Sequence, residues 1–500
     1  MKTVRRIGLW AYIAIIFGPF LYLCVSFLSL ISAHPDWVML CLPAGRRLIL
    51  LAHSLIYAFS VSFCAILIGA MIALFFWRRR NRVLLNLRWF MLLFLAVPPY
   101  IHSLAWSSFH LQGWLGAWWV GLMSYLSLAT CLAMLSLDAV EPVLIDAGRI
   151  SYSDTEVLKK IVVAQAWPML LAGWVFLFLF CLMDYSIPSL FSVNVYALEI
   201  FAEYSSTNEP LRAFLLGFPL FAISLIVVLA LWKPVRSAAV QLSRVHRENI
   251  RPLSVTGWVR ILEICAIWVV LLQVAVPFVN LFILSGSVNA IAQSVLSAKS
   301  EFVFSFFVVS VAAVCSLPLG LAVAEKIAKG GRSGYLWLFL IILPLVLPGP
   351  LVGIGFIGLA MQDKLFNLYG SVWMPVLASI SRFAPIAALV ILAKMQRTDR
   401  LLLEASNVHQ ARTFDGFLRV RLPIFSATLL AAFFMVFIFS LGELSATIIV
   451  TPPGHSTLAI RIYNYLHYGG SAEVAGLCLA MLFIILAAGS VILRLNRGRR

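Results

Sequence analysis

The chain has 500 residues and a mean hydropathy of +1.00, with 62% hydrophobic and only 11% charged residues. Soluble domains are about 25% charged, so an ordinary soluble protein is excluded and an all-α polytopic membrane protein is expected. The formal net charge of +17 would also suit a nucleic-acid partner, so the placement of the basic residues has to decide that point.

Apolar runs of about 20 residues, enough to cross a bilayer, recur along the chain. They fall near residues 8–32, 52–77, 89–109, 114–136, 167–188, 211–232, 258–284, 303–325, 335–360, 371–393, 424–446 and 473–493, which predicts twelve spans. The first follows the basic lead MKTVRR, but its apolar run exceeds the about 7–15 residues of a cleavable signal, so an uncleaved span is expected. With the N-terminus inside, every Lys and Arg except Arg46, Arg47, Arg212, Lys299, Lys364, Arg382 and Arg461 falls on the cytoplasmic side. Such a bias predicts that both termini are cytoplasmic, and it accounts for the basicity through the lipid bilayer, with no nucleic acid. The eight cysteines are scattered, with no CxxC pair and no His at ligand spacing, and read as small hydrophobes. No metal site is assigned.

Three stretches occur twice, in the same order and at nearly constant spacing. AVPPYIHSLAWSSF in the third span is answered by VLPGPLVGIGFIGL in the ninth, which aligns Pro98 with Pro348. DAGRISYSDTEVLKKIVVAQAWP is answered by EASNVHQARTFDGFLRVRLP, which aligns Asp146 with Glu404. DYSIPSLF is answered by ELSATIIV, which aligns Asp184 with Glu443. The expected organisation is therefore two parallel six-span halves, residues 1–232 and 258–500, joined by a basic cytoplasmic linker at 233–257. Pro98, Pro99, Pro344, Pro348 and Pro350 are expected to kink the third and ninth spans, for a gate or simply for packing.

The two polar stretches, about 146–165 and about 404–423, lie in cytoplasmic loops on this plan. In the second, Val408, Ala411, Phe414 and Leu418 give a short helix one apolar stripe, Glu404 and the terminal Arg419 and Arg421 suit the helix dipole, and Pro423 suits the first turn of the next span. A single such helix could simply lie at the headgroups. Two copies at corresponding positions favour a partner.

These stretches resemble the EAA loop of importer-type ABC permeases, whose usual form is Glu-Ala-Ala, three residues, Gly, and a run ending in Leu-Pro. Glu404, Ala405, Leu422 and Pro423 match, while Ser406 and Gln410 depart from the pattern. In the first copy Asp146, Ala147 and Gly148 stand for Glu-Ala-Ala, Tyr152 for the Gly, and Ala164 and Gln165 for Leu-Pro. The resemblance implies that each loop forms a coupling helix docking on a separate cytoplasmic ABC ATPase homodimer, which would carry ATP and Mg. The chain has no G-x-x-x-x-G-K-[ST] stretch of its own, so no nucleotide cofactor is assigned to it and it is not read as an enzyme. The outer segments are too short to form a cargo-binding domain. The resemblance thus implies a periplasmic substrate-binding protein and a bacterial inner membrane.

LGELSATIIVTPPGHSTLAIRIYNYL further resembles the closing region of fused permeases for ferric iron, and MDYSIPSLF resembles their Asp-Phe-Gly-x-Pro stretch with Tyr185 and Ser186 substituted. Related fused permeases carry thiamine, phosphonates or polyamines. Asp184, Tyr185, Glu443, Ser445 and Thr447 are candidate pathway residues, because an acid within a span marks a pathway by default. Alternatively, Glu443 accepts hydrogen bonds from Ser445, Thr447 or backbone amides and holds the turn that follows. Arg382, within the tenth span, needs a carboxylate or carbonyl partner. An ion-driven secondary transporter and a polytopic membrane enzyme are the rival classes. The dispersed His residues disfavour the enzyme.

Overall fold

The computed structural model describes residues 2–30, 35–78, 87–88, 90–91, 93–234, 236–237, 253–254, 257–362, 366–398, 419, 421–467 and 472–497. All regular structure among them is helical, as an apolar chain crossing lipid requires, because only an intrasegment ladder satisfies every backbone group there. The N-terminal part contains α1 (Lys2–Leu30), α2 (Arg46–Arg78), α3 (Pro99–Ser107), α4 (Gly113–Asp138), α5 (Pro142–Ser151), α6 (Asp154–Val157), α7 (Val163–Met183), α8 (Ser186–Leu190), α9 (Tyr196–Thr207) and α10 (Pro210–Ala230). A single π turn, Leu158–Val162, links α6 to α7. The C-terminal part contains α11 (Trp258–Ser285), α12 (Val288–Ser297), α13 (Lys299–Ala328), α14 (Gly331–Leu345), α15 (Gly349–Ala360), α16 (Trp373–Arg397), α17 (Leu422–Leu441), α18 (Thr447–Val450), α19 (Leu458–His467) and α20 (Ala472–Arg497).

The chain is a multi-pass membrane protein, with fewer straight crossings than the twelve expected. Among the described residues, ten helices are long and apolar enough to span, or eleven if α14 and α15 are counted as one span bent by 97°. Proline is the physical reason for the difference. In the third region Pro98 is extended, at φ −60° and ψ 142°, because it precedes Pro99, which then opens a helix of nine residues. At about 1.5 Å per residue α3 is roughly 14 Å long, too short to cross. Pro348 is likewise extended, at φ −56° and ψ 127°, before Gly349 and Pro350 start α15.

α2, α4 and α7 pack on one another, and α13, α16 and α17 form a matching trio. Small residues set both central crossings. A Cβ on Gly69 of α2 would stand 2.8 Å from the Thr130 backbone nitrogen of α4, and one on Gly320 of α13 would stand 2.9 Å from the Ala388 nitrogen of α16. Without aqueous solvent to drive helices together, such close backbone approach is how membrane helices gain packing energy. A second pair of contacts recurs as well. Ser54 Oγ accepts from the Tyr196 N–H at 2.7 Å, and Ser305 Oγ accepts from the Leu458 N–H at 2.8 Å, each tying a long helix to a short outer one.

The leading helices cross over. α1 packs on α13, α15 and α16, whereas α11 packs on α2, α3 and α20. Each part of the chain therefore clasps the other, and its opening helix packs on helices more than 150 residues away. A Cβ on Gly355 of α15 would meet the Pro19 backbone of α1 at 3.1 Å, which shows how tightly this seam closes.

Candidate functional site

Two regions hold the residues singled out by sequence, one at the loop end of the bundle and one at its centre.

At the loop end, Pro142 opens α5 and the helix runs ten residues before Tyr152 leaves it in an extended conformation, φ −130° and ψ 151°. Ser153 and Glu156 then form a capping box that starts α6, so the chain turns sharply at Tyr152 without a glycine. α5 buries Ile145 and Gly148 against the bundle, while Asp146 and Ala147 face outward. Its outer face is also apolar: Val143 is 72% exposed and Ile150 87%, with Tyr152 half-exposed beside them. Lys160 stands over the Tyr152 ring at 4.2 Å and pairs with Glu156 at 3.1 Å.

An ionic strap fixes α5 in place. Arg149 bonds Asp154 through Nε at 3.1 Å and reaches Asp146 at 3.4 Å. The other Asp154 oxygen accepts from Ser254 twice, from its N–H at 2.6 Å and its hydroxyl at 2.8 Å. One residue earlier, the Leu253 carbonyl accepts from Arg78, whose guanidinium is paired with Glu263 of α11. Residues 253–254 therefore connect the α5–α6 loop to the ends of α2 and α11. Sequence reading missed this junction because Asp154, Ser254, Arg78 and Glu263 are far apart in the chain and carry no shared pattern.

In the second loop, Leu422 and Pro423 begin α17, and Arg421 pairs with Glu325 of α13 at 2.9 Å. Glu404, Ala405, Ser406 and Gln410, with the stripe Val408, Ala411, Phe414 and Leu418, lie outside the described residues.

At the centre, α7 and α17 both end just before an acid. Asp184 is the C-cap of α7, and Glu443 follows Gly442, the C-cap of α17. A short helix, α8 or α18, begins within a few residues of each. The surroundings of the two acids differ. Glu443 Oε1 accepts from the Ala446 N–H at 2.7 Å and from Arg382 Nη1 at 2.9 Å, with side chains only 5% and 17% exposed. The Thr447 hydroxyl donates to the Glu443 carbonyl at 2.8 Å, while Ser445 packs its Cβ under Gly349 and makes no bond to the carboxylate. Any Cβ on Gly349 would collide with Arg382, so the bare glycine makes room for the ion pair. Across the seam, Pro98 lies against Gly442, bringing the other helix break to the same place.

Asp184 Oδ1 accepts from the Ser186 N–H at 2.9 Å and its hydroxyl at 2.6 Å. Its other oxygen is buried, with the Tyr125 phenol within hydrogen-bonding reach and the Tyr57 phenol nearby. Between the acids stands Tyr185, stacked at 6.1 Å on Phe201 and edge-on at 6.4 Å to Tyr463, within electrostatic reach of Asp184, Glu443 and Arg382. Tyr463 of α19 shares a 2.9 Å hydrogen bond with Ser189 of α8. Burial pushes the Tyr463 phenol up from its ordinary value, so it keeps its proton for this bond. Among the described residues, no group of three or more His, Cys, Asp or Glu is placed to hold a metal ion.

Residues 316–498 match the family described as binding-protein-dependent transport system inner membrane component. The chain is 26% identical over 179 residues, 35% of its own length and 66% of the relative's, to a protein of Salmonella typhimurium named as a 2-aminoethylphosphonate transport system permease protein. Over 190 residues, 36% of this chain and 65% of the relative, it is 24% identical to the putrescine transport system permease protein of Escherichia coli K12. It is 29% identical over 186 residues, 34% of this chain and 81% of the relative, to the molybdenum transport system permease protein of Haemophilus influenzae. The chain thus spans just under two thirds of the phosphonate and putrescine relatives it matches.

Proposed function

We propose that this chain is the transmembrane permease of an ATP-driven importer, with two permease halves fused in one chain and cargo passing between them by alternating access. The observation that carries the reading is α5. A short helix outside the membrane bundle shows Val143, Ile150 and Tyr152 to solvent, and an ionic strap holds it rigidly to the helices that would have to move. An apolar face on a fixed, exposed helix is the arrangement a helix-in-groove partner requires. The partner is a cytoplasmic ABC ATPase homodimer, which binds ATP and Mg and docks on α5 and on the loop around Glu404. A periplasmic binding protein delivers cargo on the opposite side of an inner membrane, and the chain has both termini in the cytoplasm. The match over residues 316–498 and the transport permeases among its relatives support this class.

For cargo we propose ferric iron, on the resemblance of Glu443–Thr447 and the following Pro-Pro-Gly to fused ferric permeases. Asp184, which has no ion-pair partner among the described residues, is the acid on the path, with Tyr185 beside it. Glu443, Ser445 and Thr447 shape the opposite wall, and the charge of Glu443 is met by Arg382. Arg382 favours a second cargo reading, a small aminophosphonate, because a guanidinium matches phosphonate oxygens and Asp184 would face the ammonium.

The test is ATP hydrolysis in liposomes containing the chain, its ATPase and its binding protein, loaded in turn with ferric iron, aminoethylphosphonate or putrescine. Stimulation by the ferric form, abolished by Ile150→Asp and by Glu404→Lys, is the expected result. Stimulation by another cargo alone overturns iron but keeps the importer. An assembled complex indifferent to both substitutions overturns the docking role of the two loops.

A further inference from the structure

An apolar cavity of about 300 Å³ lies between α2, α4, the start of α7, and α11. Its walls are Leu67, Ala70 and Leu74 of α2, Ala133 of α4, and Val163 and Leu170 of α7, with Val259 and Leu262 of α11 closing it. All four helices are long and apolar enough to span, so the opening beside the half-exposed Leu67 and Val163 faces acyl chains rather than water. At the loop end the wall changes character. Lys159, exposed, and Thr155 stand at the rim, one turn from the α5 strap.

The matching place in the C-terminal part is built differently. The paired close contacts of Gly69 with Gly320 and of Ala129 with Ala387 set the correspondence of α2 with α13 and of α4 with α16. On that correspondence Leu74 is answered by Glu325, which pairs with Arg421, and Ser136 is answered by Lys394. In the C-terminal part the Glu325–Arg421 pair fills that place, whereas here the Arg78–Glu263 pair stands to one side, with Glu263 on the wall of an open, otherwise largely apolar groove and Lys159 at its rim.

We infer that this groove is a binding site for one anionic phospholipid of the surrounding bilayer, with an acyl chain between α2, α7 and α11 and the headgroup phosphate on Lys159. The apolar walls give an acyl chain a place to lie, and a basic residue at the bilayer edge selects the anionic headgroup. The lipid would bridge the α5–α7 loop and the opening helix of the other half, the same elements that Asp154, Ser254, Arg78 and Glu263 connect in protein. The inference rests on the membrane placement of the helices and not on the importer reading.

Native mass spectrometry of the full-length chain in detergent, titrated with phosphatidylglycerol or phosphatidylcholine of equal chain length, tests it. The expected result is a retained phosphatidylglycerol adduct favoured about fivefold over phosphatidylcholine, the scale of one basic residue beside an anionic headgroup. Lys159→Gln should bring the two lipids to parity, and Ala70→Trp should remove the adduct by filling the groove. Ala70→Leu, a smaller filler, should weaken retention in a protein whose unfolding profile is unchanged. Equal adducts in the native chain and both Ala70 variants overturn the site. A phosphatidylglycerol preference that survives Lys159→Gln overturns the headgroup assignment. Crosslinking of residues 238–252 into the groove at Ala70 in the native chain overturns the lipid as occupant.

Discussion

Asp184 and Glu443 occupy the same place twice, each just beyond the end of a long helix and just before a short one, yet only Glu443 is neutralised. The second half spends its acid on structure: Arg382 and the Ala446 amide both take Glu443 Oε1, and Gly349 is bare so that the guanidinium can reach it. The N-terminal part closes its turn with Ser186 and sets the Tyr125 phenol, not a cation, beside Asp184. Two positions alike in backbone thus differ in their electrostatic surroundings. Backbone geometry is kept at the two places more strictly than charge, because each helix end must be capped while a counter-charge is needed only where a buried carboxylate is left ionised.

The comparison is broken most directly at Arg382. Arg382→Met leaves Glu443 buried without its counter-charge, and removing one partner of a buried pair costs about 3–5 kcal/mol. Thermal unfolding in detergent should show a large loss for Arg382→Met, with much of it recovered in the double variant Arg382→Met/Glu443→Gln. A single variant as stable as the native chain would mean that the pair is not formed in the membrane. A smaller effect is expected at the helix crossings, where the halves should behave alike. Gly69→Leu and Gly320→Leu each drive a side chain against backbone atoms, and overpacking of this kind costs about 1–3 kcal/mol. Similar losses for both sharpen the repeat, whereas a loss at only one crossing shows that the two trios are not equivalent.

Much of this was legible in the sequence where it depended on local pattern. Hydropathy gave the helical membrane class, and the doubled motifs pointed to both acid positions. The expected Glu443 contact with backbone amides is present, and the carboxylate that Arg382 requires is Glu443. The count of straight spans was less legible, because composition cannot tell a kink from a full break and Pro98–Pro99 and Pro348–Pro350 produce breaks. The packing of α1 on α13, α15 and α16, and of α11 on α2 and α3, was not legible at all. Nothing in an apolar helix names its neighbour. The Asp154–Ser254 strap escaped for the same reason, being a contact between polar residues 100 positions apart.

The next effect down is the pair of serine ties. Ser54→Ala and Ser305→Ala each remove one hydrogen bond to the first turn of an outer helix, a change of about 1 kcal/mol in either half. Hydrogen exchange at the amides of Tyr196 and Leu458 reads each tie separately, and faster exchange at the altered position alone is the expected outcome. Exchange unchanged at both would show that water or a neighbouring carbonyl replaces the hydroxyl.

The smallest stability change is expected at Asp184, and there the two halves separate most clearly. Asp184→Asn keeps an oxygen to accept from Ser186, so unfolding should shift by about 1 kcal/mol or less. Glu443→Gln strands the Arg382 guanidinium and should cost several times more. Function should follow the reverse order. If Asp184 lies on the path, Asp184→Asn in liposomes loses about tenfold in cargo uptake for a missing charge contact, while ATP hydrolysis continues. A variant that transports as the native chain does would assign Asp184 the capping role alone. The two acids would then be alike in being structural, and the path would have to be sought along Tyr185 and Tyr463.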